Sequence, residues 1–159
     1  MEQILYRGKR KYNNEWVEGF YYQHNPPLQC FTLDGDREKV KHYILKTGFA
    51  DWNMPRPVDF IEVIPETVGK FTGVFDKSKN KIFEGDILKS ISAITTNFGK
   101  ILTGEFDTTI YEVVVDEEES YSFGTKNVIT NYISTPIYRA NASKYYEVVG
   151  NVYEKPELQ

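Results

Sequence analysis

Apolar positions along the chain come in short alternating runs broken by Gly, Pro, Asn and Asp, the spacing of strands and tight turns. Ile4–Arg10 and Trp16–Gln23 predict a hairpin closed at Tyr12-Asn13-Asn14-Glu15, since Asn tolerates the left-handed backbone of a tight turn. On its second arm Val17, Gly19 and Tyr21 share one side, and Trp16, Glu18, Phe20 and Tyr22 the other. Neither side is cleanly polar, so both are expected to be partly covered. Asn25-Pro26-Pro27 breaks the chain, and Leu28–Leu33 follows as a strand ended by the turn Asp34-Gly35-Asp36. Residues 38–46 fit a helix capped by Asp36 with Val40, Tyr43 and Ile44 on one stripe, while Lys41–Lys46 also fits a strand; the strand is preferred.

Residues 50–57 are expected to form a proline-stiffened loop anchored by Trp52 and Met54, before a strand at Val58–Ile64 that Pro65 ends. A soft boundary is placed there. Phe71–Phe75, a turn over residues 76–81 and Ile82–Phe83 predict a second hairpin, and Asp86–Ile94 the next strand. Further strands are expected at Lys100–Phe106, Ile110–Val115, Val128–Ser134 and Tyr145–Tyr153, with a frayed tail or one helical turn after Tyr153. Short strands with turns between them predict a small barrel or curled sheet.

Composition strengthens this. Strand-favouring Val, Ile, Thr, Tyr, Phe and Trp make up 62 of the 159 residues, against 13 for Ala, Leu and Met together. Branched and aromatic side chains lose rotamer freedom on a helix and pack well on a pleated surface, so a mainly β chain with one or two short helices is expected. Apolar runs stop at triplets, far short of the roughly 20 residues a bilayer demands. Neither a membrane span nor a signal peptide is expected. Cys30 is the one cysteine, which suits a reducing, cytoplasmic setting and a small buried hydrophobe.

Charge narrows the choice of partners. The chain carries −4 overall; residues 1–60 hold nine basic and eight acidic groups, residues 101–159 four and ten. Such a chain does not draw in nucleic acid by its net field, so that partner requires a local basic patch. Arg7, Lys9, Arg10 and Lys11 form the densest one, near Tyr6, Tyr12, Trp16 and Tyr21 in sequence. Aromatics beside cations on a sheet are what a single-strand binding face requires; the same cluster also reads as a solvated hairpin arm that protects an edge strand. The 24 aromatic residues raise self-association as a second kind of partner.

Candidate reaction chemistry is thin. Glu66, Glu84 and Asp86 could form a carboxylate cluster, but Glu84-Gly85-Asp86 reads better as a turn, with Gly85 free to take positive φ and Asp86 accepting a backbone hydrogen bond. Gly69 and Gly73 flank Phe71-Thr72 without the Gly-Lys-Ser/Thr of a phosphate loop and read as bulge or close-packing glycines. Asp116-Glu117-Glu118-Glu119 lacks calcium-loop spacing, and His24, Cys30 and His42 are too sparse for zinc. No catalytic residue, cofactor or metal site is assigned.

Residues 64–73, Ile-Pro-Glu-Thr-Val-Gly-Lys-Phe-Thr-Gly, followed by Asp76-Lys77 and by Lys81-Ile82-Phe83-Glu84-Gly85-Asp86-Ile87, resemble the hallmark core of the YopX family. Residues 147–154, Glu-Val-Val-Gly-Asn-Val-Tyr-Glu, with Pro156-Glu157-Leu158, are similar to its closing motif, as are Arg7-Gly8-Lys9 and Trp16-Val17-Glu18-Gly19 to its opening. Lys70 stands where Gln is frequent, and Ser78-Lys79-Asn80 reshapes a turn that is often Asn-Gly. The resemblance implies a mainly β protein encoded by a phage, prophage or mobile element, with no established activity and no catalytic residues to carry over. It makes Pro65, Glu66, Gly69, Gly73, Gly85, Asp86 and Gly150 structural motif positions. It further implies an N-terminal β-rich segment over residues 1–64 and a barrel-like core over 65–159 with a variable insertion at about 90–144. The expected function is a non-enzymatic module in the bacterial cytoplasm that binds a host or phage macromolecule or itself; nucleic acid is the alternative partner, and an enzyme of unknown type the remaining alternative.

Overall fold

The hairpin that opens the chain sets the geometry of everything around it. In the computed structural model, which describes residues 4–26, 39–47, 58–96, 101–116, 122–134, 137 and 139–154, strand β1 (Tyr6–Lys9) pairs antiparallel with β2 (Trp16–His24). The turn between them places Asn14 at φ 58°, the left-handed conformation for which Asn is suited. The chain divides into two compact units, Met1–Lys70 and Phe71–Gln159.

In the first unit β3 (Lys41–Thr47) and β4 (Val58–Glu62) complete an antiparallel sheet in the order β4-β3-β2-β1. Lys41–Thr47 is thus a strand, as preferred from sequence. Beyond β4 a single 3₁₀ turn, Pro65–Thr67, returns the chain, so that Gly69 pairs with Arg7 and Lys70 with Tyr6. Thr67 ties this turn to the sheet: its Oγ1 accepts from the Lys9 amide at 2.9 Å and donates to the Ile64 carbonyl at 2.7 Å. One face of the sheet carries a small core of Val17, Ile44 and Val63, flanked by Tyr6, Tyr21, Ile61 and Val68. Gly19 lies so close to β3 that a Cβ there would sit 2.2 Å from the Leu45 carbonyl oxygen. The opposite face is partly covered, as expected: Trp16 and Glu18 are half-buried, while Phe20 and Tyr22 are more open, 45% and 41% exposed.

The second unit holds β5 from Phe71 onward (the strand runs Gly69–Phe75) and β6 (Lys81–Phe83), followed by β7 (Asp86–Thr96), β8 (Ile101–Asp116), β9 (Ser122–Asn127), β10 (Ile133–Ser134), α1 (Arg139–Tyr145) and β11 (Tyr146–Asn151). β5 and β6 form the second expected hairpin, its register shifted around Gly73 at φ +79°. The other strands make an antiparallel sheet in the order β10-β9-β8-β7-β11. Val74, Ile82, Leu88 and Val113 form the core, and Ala142 brings α1 into it. The chain is mainly β, with one helix among the described residues, and the sheets are open: no closed barrel occurs among those residues.

Two strand assignments change. The strands expected at Lys100–Phe106 and Ile110–Val115 merge, over the described residues, into one continuous strand, β8, because Asp107, Thr108 and Thr109 pair with Ser92, Ile91 and Ser90, while Gly104 at φ +82° absorbs a register shift. Val128–Thr130 is a turn despite its branched side chains. Asn127 Oδ1 accepts from the amides of Ile129 and Thr130, each at 2.9 Å, and this local capture outweighs strand propensity. The strand instead occupies the more polar Ser122–Asn127, held by pairing with β8. The expected strand at Leu28–Leu33, the turn after it, Cys30, the loop with Trp52 and Met54, Glu117–Glu119 and the tail lie outside the described residues. No helix among the described residues is long and apolar enough to cross a membrane.

Candidate functional site

The side chains of a strand alternate between faces, so Arg7, Lys9 and Lys11 point away from the core of the first unit, with Trp16, Glu18, Phe20 and Tyr22 beside them. Lys9 pairs directly with Trp16, and both cations settle on that ring: Arg7 Cζ lies 4.5 Å and Lys9 Nζ 5.2 Å from its centroid. Each such contact contributes about 0.5–1 kcal/mol at a partly exposed site and fixes where the positive charge sits. Lys11 reaches across to β4 and forms an ion pair with Glu62. Arg10, of opposite parity, turns to the hairpin loop, where Nη1 lies 3.4 Å from the Tyr12 hydroxyl and 3.8 Å from Glu15. Its Nε is buried with no acceptor among the described residues. The four-residue basic cluster therefore splits, with Arg7 and Lys9 held over Trp16 and Arg10 and Lys11 at one end of the sheet.

Of the aromatics nearest in sequence, Trp16 meets the cations, whereas Tyr6, Tyr12 and Tyr21 do not join the open face. Tyr6 and Tyr21 lie on the core face, 5.4 Å apart, and the Tyr21 hydroxyl is 2.6 Å from His42 Nδ1. Burial, and to a lesser degree the neighbouring Tyr6, push the Tyr21 pKa up. Tyr12 is at the rim, 80% exposed. The open face is built instead from β2, β3 and β4. Register places Phe20 opposite Leu45 and Leu45 opposite Phe60; Tyr22 lies opposite Tyr43, and Tyr43 opposite Glu62. The rings of Tyr22, Tyr43 and Phe60 form a triangle with centroids 6.1–6.5 Å apart, Phe60 standing perpendicular to both tyrosines. Phe60 is 60% exposed. An open groove of about 670 Å³ runs between the Arg10–Tyr12 turn and residues Asp59–Glu62 of β4.

Charge on this face differs from that of the chain. With His24 counted neutral, its described charged residues are Arg7, Lys9, Lys11 and Lys41 against Glu18 and Glu62, an excess of two positive charges on a chain of net charge −4. The strand alternation of β2 was legible as sequence, but Tyr43 and Phe60 join the site through cross-strand register, which no local pattern displays.

The hallmark positions act locally. Gly85 takes φ +78°, donates to the Val113 carbonyl and accepts from the Val152 amide, both at 2.9 Å. Asp86, fully buried, accepts from the Phe83 amide at 2.8 Å and from Asn151 Nδ2 at 3.2 Å. Gly150 sits at a register shift between β11 and β7. Gly69 is buried beside Arg7, and Pro65 opens the 3₁₀ turn with exposed Glu66 next to it. Glu66 belongs to the first unit, Glu84 and Asp86 to the second. Among the described residues no three of His, Cys, Asp and Glu converge as a metal set would.

A second buried carboxylate, Asp76, was not singled out from sequence. Its oxygens accept from the amides of Ser78 and Asn80 at 2.8 Å, from Asn80 Nδ2 at 3.1 Å and from the Val148 amide at 3.1 Å. Burial pushes its pKa up, but these hydrogen bonds outweigh burial and hold it below the ordinary aspartate value. The spacing Asp76-x-Ser78-x-Asn80 is an Asx-type turn signature that could have revealed it.

No curated protein matches the chain. The family model described as YopX protein matches residues 5–159, which takes in both units, the basic hairpin and every hallmark turn. On that match the chain belongs to the YopX family.

Proposed function

We propose that the chain is a non-enzymatic binding module whose contact surface is the open face of the β1–β4 sheet. The observation that carries this reading is the exposure of Phe20, Tyr22 and Phe60 on one face, beside two cations fixed over Trp16. Large rings gathered on an exposed face are the composition of a contact surface, where Tyr, Phe, Trp and Arg are enriched. The reading also draws support from the buried carboxylates of the second unit, whose oxygens are engaged by backbone amides. The origin implied by the family resemblance makes the setting the cytoplasm of a bacterial host carrying a phage or mobile element.

The test is amide-resolved NMR of the full chain, titrated with single-stranded and duplex oligonucleotides and run as a dilution series of the protein alone. Shifts gathered in Trp16–His24, Lys41–Thr47 and Val58–Glu62, and abolished by Phe20→Ser with Phe60→Ser, are the expected result. Shifts confined to Phe71–Gln159, indifferent to both substitutions, refute it.

A further inference from the structure

We infer that the open face of the first unit takes single-stranded nucleic acid, bases stacking on Phe20, Tyr22 and Phe60 while Arg7, Lys9 and Lys41 hold the phosphates. This rests on the reading of that face as the contact surface and names the chemistry of its partner. Each half of the face meets one requirement of a single strand. Every base has a π-face, so exposed rings bind without sequence preference, and cations beside them track the backbone. Phe60 stands perpendicular to Tyr22 and Tyr43 and is 60% exposed, so most of its ring is open to a stacking partner. Trp16 serves a different purpose: with Arg7 and Lys9 on its ring it positions charge rather than bases.

Dimensions agree. Trp16 and Tyr22 are six residues apart on β2, about 20 Å, and Phe20 and Phe60 lie two strands apart, about 10 Å. That area suits the lower end of sheet-based single-strand sites, about 4 nucleotides.

Charge disfavours a symmetric face-to-face pair, and stacking disfavours a duplex. Two copies of the chain placed face to face would bring like-signed surfaces together, since this face carries an excess of two positive charges. A duplex hides its base faces within its own stack and offers these rings little. A single strand supplies both negative charge and open bases.

Fluorescence anisotropy of the full chain with a short mixed-sequence single strand, as DNA and as RNA, and with the matching DNA duplex tests this. A single strand of either sugar is expected to bind at low salt, at least about tenfold more tightly than duplex. Phe60→Ala should weaken binding by about tenfold, the worth of one stacked base. With three phosphate contacts the slope of log K on log salt should be about −2, and Arg7→Gln with Lys9→Gln should bring it to about −0.7. Tyr132→Ala, an exposed ring of the second unit, should leave affinity unchanged. Amide shifts of the wild-type chain in Trp16–His24 and Val58–Glu62 on adding the strand should locate the site without any substitution. Absence of binding at low salt, or a salt slope and affinity that ignore these substitutions, overturns the inference. If no oligonucleotide binds while Phe60→Ala abolishes self-association seen by light scattering, the nucleic-acid inference falls and the contact-face reading stands. If Phe60→Ala alters neither, both fall.

Discussion

Asp76 ties the Ser78–Asn80 turn to β11, and Asp76→Ala measures how far the second unit depends on it. Asp76 is 2% exposed and its carboxylate accepts three backbone amides and one side-chain amide. The amides of Ser78 and Asn80 belong to an exposed turn and can turn to water, so losing their acceptor costs about 1 kcal/mol each. The Val148 amide belongs to β11 beside the core, and leaving it without an acceptor costs about 2 kcal/mol. The expected destabilisation is thus about 4 kcal/mol, read by urea unfolding followed by circular dichroism. Amide exchange gives the local signature, with Val148 and Asn80 losing protection before the strands pairing β7 and β8. The pH dependence has a definite sign. A folded-state pKa below the unfolded value of 3.8 gives a contribution that is complete above about pH 4 and lost as pH falls through the folded value. Asp76→Asn should therefore flatten the acid limb of the stability curve as well as lower the whole curve. A cost below 1 kcal/mol for Asp76→Ala, with Val148 exchange unchanged, would show that the four hydrogen bonds do not organise this turn.

Other substitutions test other joints. Gly19→Ala places a Cβ 2.2 Å from the Leu45 carbonyl oxygen and should cost more than about 2 kcal/mol by forcing β2 from β3, seen as lost exchange protection in Tyr43–Leu45. Gly85→Ala, at φ +78° and with Val152 3.3 Å from the new Cβ, should cost more than Gly73→Ala, at φ +79° with open space around it; equal thermal shifts for the two would contradict the packing part of that difference. Tyr146 titrates high chiefly because it is partly buried, so its contribution is complete below about pH 10 and fades as pH rises further; Tyr146→Phe should reduce the alkaline limb of the unfolding curve, to which Tyr21 also contributes.

The sequence made the fold class readable because strand preference and turn chemistry agree over most of the chain. The first hairpin, the Phe71–Phe83 hairpin and β7 all follow from alternation bounded by Asn, Gly or Asp. The failures share a cause. Val128-Ile129-Thr130 has the composition of a strand, but Asn127 captures its amides, and Ile129 ends 82% exposed. The polar Ser122–Asn127 becomes a strand because β8 pairs with it along six residues. The candidate face was half readable for the same reason. Trp16, Phe20 and Tyr22 share a parity visible in one strand, whereas Phe60 joins them through two registers that depend on chain segments far apart. The basic cluster was misjudged as a unit because residues adjacent in a strand point to opposite faces, which sends Arg10 away from Arg7 and Lys9.

Whether the rings of the open face serve contact or stability can be decided by comparing Phe60 with Ile44, two apolar side chains of neighbouring strands. Ile44 is fully buried between Val17 and Val63, and Ile44→Ala should cost about 3–4 kcal/mol. Phe60 is 60% exposed, so of about 200 Å² in a phenylalanine side chain only about 80 Å² is removed from water, about 2 kcal/mol. Threonine keeps a strand-favouring side chain in place, so Phe60→Thr should cost no more than about 2 kcal/mol, measured by tryptophan fluorescence in urea. On the contact-face reading, a ring that contributes so little to the fold leaves its apolar surface open for a partner. If Phe60→Thr instead destabilises the chain as much as Ile44→Ala, the rings are a second core of the first unit, and both the contact face and the single-strand inference lose their footing.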